Sequence, residues 1–299
     1  MAFSFTQIVY QFLDSFAFLI IASLGLAVIF GIMGIINQAH GEFVMLGCYA
    51  FSIATGLGVP HLFAIVFAMI FTAIFGGIVD RLIIRRLYHR PLDSIVATWG
   101  LSLVLSQGIR VIFGPFLSTV AVPFGSVMIG DERYSVYRLV LILVAALMLV
   151  GFYLLFTRTR FGLYSRATTQ NTDIAKCLGV NTNRTYMVIF MVGSALTGLA
   201  GALYAPLLAL TPNLGNTFTS QSFATVIVGG ANPLIGTFLA GGTLGLVDGA
   251  LSLLVGSFFG RLGLLIVSIL FIRLFPTGFT GLVEKIQMRR MGASARGRD

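Results

Sequence analysis

Apolar residues run along the chain in long unbroken blocks, and polar residues gather in the gaps between them. The blocks lie at 16–36, 43–57, 62–79, 94–113, 139–156, 186–205, 219–230, 234–258 and 262–275. A helix crossing a bilayer needs about 20 mainly apolar residues, whereas a membrane barrel alternates with period two. The pattern therefore predicts an all-α, polytopic transmembrane helical bundle of roughly 8–10 segments, with the whole of 1–299 as a single membrane domain. Two blocks are too short to cross unaided. Blocks 43–57 and 219–230 would reach only about 22 and 18 Å against a hydrocarbon core of about 30 Å, and they read as half-length or broken helices.

The break between the first two blocks, within GIMGIINQAHGEFVMLG at 31–47, concentrates Asn37, Gln38, His40, Gly41 and Glu42. Irregular backbone and ionisable groups persist at membrane depth only inside protein or beside a water-filled cavity, so such a break is a candidate for a transport path. A short surface loop with Glu42 at a helix start is the plainer reading. A shift of 195 positions pairs Gly34 with Gly229, Asn37 with Asn232, Gly41 with Gly236, Phe43 with Phe238 and Gly47 with Gly242. Matched interruptions in two halves point to internal duplication and a binding site or pathway. On this reading Gly41, Gly47, Gly236 and Gly242 serve as hinges or close-packing positions.

Composition agrees with a membrane protein. Hydrophobic residues make up 57% and charged residues 10% of 299 positions, and mean hydropathy is +0.98. The net charge of +9 is carried mostly by arginine. The basic residues cluster between blocks: Arg81, Arg85, Arg86 and Arg90; then Arg158, Arg160, Arg166, Lys176 and Arg184; then Lys285, Arg289, Arg290, Arg296 and Arg298. That is membrane topology with contact to anionic lipid, not a nucleic-acid footprint, and it makes these connections and the tail at 284–299 cytoplasmic.

No enzyme constellation is present. Neither lysine follows a glycine, which excludes a Walker-type phosphate loop. His40, His61 and His89 are scattered, and no ligand spacing for a metal occurs. No cofactor is predicted. Asp248, inside the eighth block, is an embedded acid, read either as functional or as a helix bend at a vestibule. The loop at about 157–185 is long and basic. It contains a short helix predicted at 172–178, with Asp173 in its first turn and Gly179 as its stop, and docking against a cytoplasmic partner explains that order.

Three motifs carry a resemblance across nearly the whole chain: Asn37-Gln38-Ala39-His40-Gly41-Glu42-Phe43; Arg166-Ala167-Thr168-Thr169-Gln170-Asn171 followed by Ala175 and Gly179; and Gly229-Gly230 followed by Gly236. Together they are similar to the membrane permease subunit of an ATP-binding-cassette importer of the branched-chain amino acid permease family. Arg90-Pro91-Leu92, Ala97-Thr98-Trp99-Gly100 and 167–171 look closer to that family's urea and short-chain amide branch, while Asn232-Pro233-Leu234 departs from its usual second break. The resemblance implies a bacterial cytoplasmic-membrane location. It also implies a second homologous permease, two cytoplasmic ATP-binding subunits and an extracytoplasmic solute-binding protein, with Arg166, Asn171, Ala175 and Gly179 in the ATPase-coupling loop. A neutral polar solute such as urea would suit a pathway of Asn37, Gln38, His40, Glu42, Thr98 and Asn232. Branched-chain amino acid import by the same machinery is the alternative. A passive aquaporin-like channel and a proton-coupled carrier using Glu42 or Asp248 are the other readings; both would work without ATPase subunits.

Overall fold

The structure is a computed structural model that describes residues 5–88, 90–129, 132–230, 232–283 and 285. His89 and nearly all of the basic tail at 284–299, including Arg289, Arg290, Arg296 and Arg298, lie outside the described residues.

The helices are α1 (Phe5–Met33), α2 (His40–Gly56), α3 (His61–Leu82), α4 (Pro91–Phe113), α5 (Val136–Arg158), α6 (Arg160–Gln170), α7 (Thr172–Cys177), α8 (Thr182–Tyr204), α9 (Leu214–Gly229), α10 (Pro233–Leu254) and α11 (Ser257–Leu274). Seven of them, α1, α3, α4, α5, α8, α10 and α11, are long and apolar enough to cross a membrane. The chain is an all-α polytopic bundle. The two segments read as short are short: α2 has 17 residues and α9 has 16, about 26 and 24 Å of helix. The first helix begins earlier than expected, at Phe5, because residues 5–15 continue an apolar face. One feature had no sequence signal, an antiparallel hairpin of β1 (Ser126–Ile129) and β2 (Glu132–Ser135) between α4 and α5.

α1 runs through the centre, with almost every residue from Ala17 to Ile29 buried. α10 and α8 are its main partners, and α8 approaches it through glycine. A Cβ on Gly193 would stand 2.5 Å from Ile29 and 2.9 Å from the Gly25 carbonyl; one on Gly201 would stand 2.7 Å from the Cys48 amide; one on Gly198 would meet the Ala68 carbonyl at 2.9 Å. The glycines of α8 thus let α1, α2 and α3 close on one helix, which is how membrane helices associate when no hydrophobic force drives them. α9 lies parallel to α1. Phe218 stacks beside Phe18 at 5.3 Å, the Ser222 hydroxyl donates to the Ala22 carbonyl at 3.0 Å, and Val226 packs with Leu26 and Ala27. α10 returns antiparallel, placing Gly241 against Ile20 and Gly245 against Phe16. α3, α4, α5 and α11 form the periphery and turn rows of large apolar side chains outward, as Phe63, Phe67, Ile70 and Ile74 do on α3.

The arginine-rich α3–α4 connection and the α6–α7 segment come together at one end, where the rings of Tyr88 and Tyr186 meet at 4.9 Å. By the positive-inside rule that end is cytoplasmic. The hairpin and the 208–213 loop occupy the opposite end.

Candidate functional site

α1 stops at Gly34, whose φ of +66° suits glycine and whose amide still bonds back to the Phe30 carbonyl at 2.9 Å. The next six residues, 34–39, do not leave the protein. They run back toward the middle of α1, because the His40 Nε2 meets the Ala22 carbonyl at 2.9 Å. Eleven residues of helix separate Met33 from Ala22, about 16 Å, and six extended residues reach about 20 Å. The break is therefore a re-entrant segment at membrane depth.

Its backbone is satisfied internally, as such a segment requires. Asn37 Oδ1 accepts from the Ala39 amide at 3.1 Å, an Asx turn that starts α2. The Gln38 amide donates to Thr98 Oγ1 at 3.0 Å. Thr98 belongs to a small polar ridge on α4, Ser94, Thr98 and Ser102, the face by which this peripheral helix is buried; Ser102 lies near the Glu42 carboxylate. His40 joins three helices. Its Nε2–H donates to Ala22 of α1, which also accepts from Ser222 of α9, and its Nδ1 lies 3.4 Å from Thr197 Oγ1 of α8. Next to it, the Gly41 amide donates to Thr219 Oγ1 at 3.0 Å, and any Cβ on Gly41 would collide with the Gly215 carbonyl.

Of the residues expected to line a pathway, Asn37, His40, Glu42 and Thr98 are 2% exposed or less. In this conformation Asn37, His40 and Thr98 hold the re-entrant segment in place, while Glu42 Oε2 is buried without a hydrogen-bond partner. Gln38 is the half-buried member of the group.

The second break is built differently. α9 ends at Gly230, φ +87°, and α10 starts at once from Asn232, whose Oδ1 accepts from the Leu234 and Ile235 amides at 3.1 and 3.2 Å. Pro233 packs on Gly31 near the cytoplasmic end of α1. Asn37 and Asn232 thus both accept from the amide two residues on, but only Asn232 caps a helix, and the two sit at different depths. Gly229 and Gly236 face each other across this turn, with a Cβ on Gly236 only 2.7 Å from the Gly229 carbonyl. Gly47 lies against Gly198. Gly242 corrects the expectation of close packing: a Cβ there meets nothing within 4 Å, because the contact in that turn of α10 is made by Gly241 on Ile20.

Sequence reasoning missed the polar face of α9. Asn213, Asn216, Thr217 and Ser220 are exposed along one stripe, followed by half-buried Phe223 and exposed Ile227. The signal was present as polar residues recurring three or four positions apart. Alignment of α9 with α1 puts Ser220 level with Ile20, near the middle of a helix about 44 Å long. A stripe of amides and hydroxyls at that depth belongs against water or protein and not against lipid.

At the cytoplasmic end, Arg166 donates to the Phe156 carbonyl and stacks on its ring, pinning α6 to the end of α5. Thr169 Oγ1 reaches the Ile32 carbonyl at 3.1 Å, two residues before Gly34. Asn171 caps α7 through bonds of 3.1 and 3.0 Å to the Asp173 and Ile174 amides; Ala175 is buried; Gly179, φ +84°, terminates the turn. These four residues give the element its shape. Its outward groups are Leu163, Tyr164, Ile174 and Leu178, exposed apolar side chains beside a groove of about 400 Å³. Behind them, Thr172 meets the Tyr186 hydroxyl at 3.1 Å, and the Tyr88 hydroxyl donates to buried Asp80 at 2.7 Å. Burial and the Asp80 carboxylate hold the Tyr88 phenol above its ordinary range, so it stays a donor. Among the described residues no group of three or more His, Cys, Asp or Glu could hold a metal.

A family model described as the branched-chain amino acid transport system permease component matches residues 8–274. The chain is 26% identical over 302 residues to the probable branched-chain amino acid transport permease protein LivH of Methanocaldococcus jannaschii, covering 92% of each chain. It is 28% identical over 286 residues to the high-affinity branched-chain amino acid transport system permease protein BraD of Pseudomonas aeruginosa, covering 88% of this chain and 92% of that one. Among solved structures, PsaBC from Streptococcus pneumoniae in complex with Fab shares the fold, with a TM-score of 0.51 at 14% identity over 89% of this chain and 90% of that chain.

Proposed function

The chain belongs to the family of branched-chain amino acid transport system permease components, and on that premise we propose that it forms one half of the membrane pore of an ATP-driven importer for branched-chain amino acids. Members of this family are transport components of the cytoplasmic membrane that work with ATP-binding and solute-binding partners. For this chain the partners are a second homologous permease, two ATP-binding subunits and a solute-binding protein on the outer side.

The observation that carries the reading is the exposed polar face of α9 at mid-bundle depth. It needs a second wall, and a partner permease facing it encloses a path lined by Asn213, Asn216, Thr217 and Ser220. Neutral hydrogen-bonding groups above Phe223 and Ile227 match a solute with a polar end and an aliphatic end. The expectation of urea or short-chain amides loses support from both sides. The relatives LivH and BraD are branched-chain amino acid permeases, and the residues that suggested urea lie elsewhere: Trp99 is an exposed residue on the periphery, Thr98 braces the re-entrant segment, and Arg90 pairs with Asp93 at the surface.

Coupling runs through α6 and α7. An ATP-binding subunit seated on Ile174 and Leu178 moves an element tied by Thr169 to the last turn of α1, beside the glycine stop at Gly34. Uptake by the four-component complex in proteoliposomes tests the whole reading. ATP-dependent accumulation of leucine, isoleucine and valine is expected, with urea ineffective; accumulation of urea in preference to leucine would reverse the assignment.

A further inference from the structure

A second polar cavity, of about 300 Å³, opens at the outer end of the bundle among α1, α5, the end of α8, α9, α10 and α11. None of the exposed stripe residues lines it; the α9 residue that faces it is Gln221, about 100° around the helix from Ser220. Both signs of charge line it. Asp14 pairs with Arg138, and Asp248 lies near Ser15, Arg261 and Asp14. Two acceptors in its wall are left without partners: Gln221 Oε1 and the Tyr204 hydroxyl, each on a side chain only 5% exposed. A buried acceptor without a donor costs about 1–3 kcal/mol, so the site is incomplete as it stands.

The lining selects among ligands. Two guanidinium groups oppose a bare cation, and two carboxylates oppose a bare anion. A net-neutral wall with separated charges is complementary to a molecule that carries both. Asp248, Gln221 and Tyr204 offer acceptors to an ammonium group, Arg138 and Arg261 offer donors to a carboxylate, and Phe18, Leu207 and Leu208 complete the wall with apolar surface. We propose that this cavity is a holding site for a free zwitterionic amino acid with an aliphatic side chain, distinct from the pathway along α9. The proposal rests on the reading that the cargo is an amino acid. It also gives Asp248 a role as an ammonium partner, and its neighbour Gln221 places occupancy of the cavity on the helix that forms the pathway.

Saturation-transfer NMR on the permease–ATPase complex in nanodiscs, without the solute-binding protein and with leucine as probe, tests this. Saturable leucine binding is expected. It should weaken tenfold or more in Asp248→Asn and Gln221→Leu, and in the surface variant Arg261→Gln, whose side chain carries no core packing. 3-Methylbutylamine, lacking the carboxylate, and 4-methylpentanoate, lacking the ammonium, should each bind at least tenfold more weakly than leucine. Trp99→Phe, on the peripheral helix α4 and outside the cavity lining, should bind leucine like the parent. No saturable signal, or equal affinity in parent and Arg261→Gln, overturns the proposal. Leucine uptake by the complete importer, measured in parallel, separates the two claims: uptake without cavity binding defeats the cavity alone, and cavity binding without uptake defeats the transport reading alone.

Discussion

Replacing Gly215 with alanine probes the contact on which the re-entrant segment depends. The new methyl would stand 2.8 Å from the Gly41 carbonyl carbon and 2.9 Å from the Glu42 amide, where ordinary contact begins near 3.4 Å. Both opposing atoms are backbone, so neither can swing away, and α9 must part from α2 by about half an ångström. That separation carries the Gly41 amide to the limit of its 3.0 Å bond with Thr219 Oγ1. Overpacking of this kind costs about 1–3 kcal/mol, and the weakened hydrogen bond adds up to about 1 kcal/mol. Gly242→Ala is the matched control: open space surrounds it, and alanine in a helix interior gains up to about 1 kcal/mol over glycine. Thermal inactivation of the detergent-purified complex and leucine uptake in proteoliposomes read the difference. Gly215→Ala should lower the inactivation temperature by several degrees and uptake by tenfold or more, while Gly242→Ala should match or exceed the parent. Equal behaviour of the two variants would refute the close-approach argument.

On the exposed α9 face, Thr217→Val and Asn216→Ala should leave thermal stability within about 0.5 kcal/mol of the parent, as surface changes do, yet reduce uptake fivefold or more; undiminished uptake in the double variant would remove α9 from the pathway. Ile174→Asp and Leu178→Asp on the cytoplasmic platform should abolish co-purification of the ATP-binding subunits while the permease still inserts, read by affinity pull-down from membranes. Tyr88→Phe strips buried Asp80 of its donor and should destabilise by about 1–3 kcal/mol, with a double-mutant cycle against Asp80→Ala showing coupling of at least about 0.5 kcal/mol; additive losses would mean the bond contributes nothing. Because the Tyr88 phenol is held above its ordinary range, its contribution is fully present below the unfolded tyrosine value of about 10 and is lost only as pH rises through the higher folded value, so the penalty of Tyr88→Phe should be constant between about pH 7 and 9.

Much of the architecture was legible in hydropathy alone. Long apolar blocks became long helices, and the two short blocks became α2 and α9, because bilayer thickness sets a length that a count of residues can be held against. The short helix at 172–178 was legible from Asp173 and Gly179, which act locally as first-turn acid and stop, and the structure adds Asn171 as its cap. α6 was hidden by its polar composition, because the residues it buries, Gly162, Ser165 and Thr168, are small or polar and leave no apolar stripe to read. The outer hairpin was hidden because four-residue strands leave too little alternation to read. For the site, sequence located the re-entrant segment but could not separate polar groups that satisfy backbone from polar groups left for solute. That distinction depends on which carbonyl or amide lies opposite, as Ala22 does for His40.

The repeated asparagine shows why local chemistry and depth have to be argued separately. Asn37 and Asn232 each come shortly after a left-handed glycine and accept from the amide two residues on, Asn37 in a turn before α2 and Asn232 as the N-cap of α10. The length of chain between that glycine and the next helix decides the outcome. Six residues, 34–39, are enough extended chain to climb back to the level of Ala22, so α2 begins inside the bundle and its first turn must be braced by Thr98, Thr197 and Thr219. Three residues, 230–232, are enough only to reverse direction, so α10 begins at the cytoplasmic rim and packs its full length on α1. The first break therefore uses most of its polar groups in holding itself at depth, with Glu42 Oε2 left unpartnered. A pathway at the same level has to be lined by groups that owe nothing to the backbone, and the exposed stripe of α9 provides them.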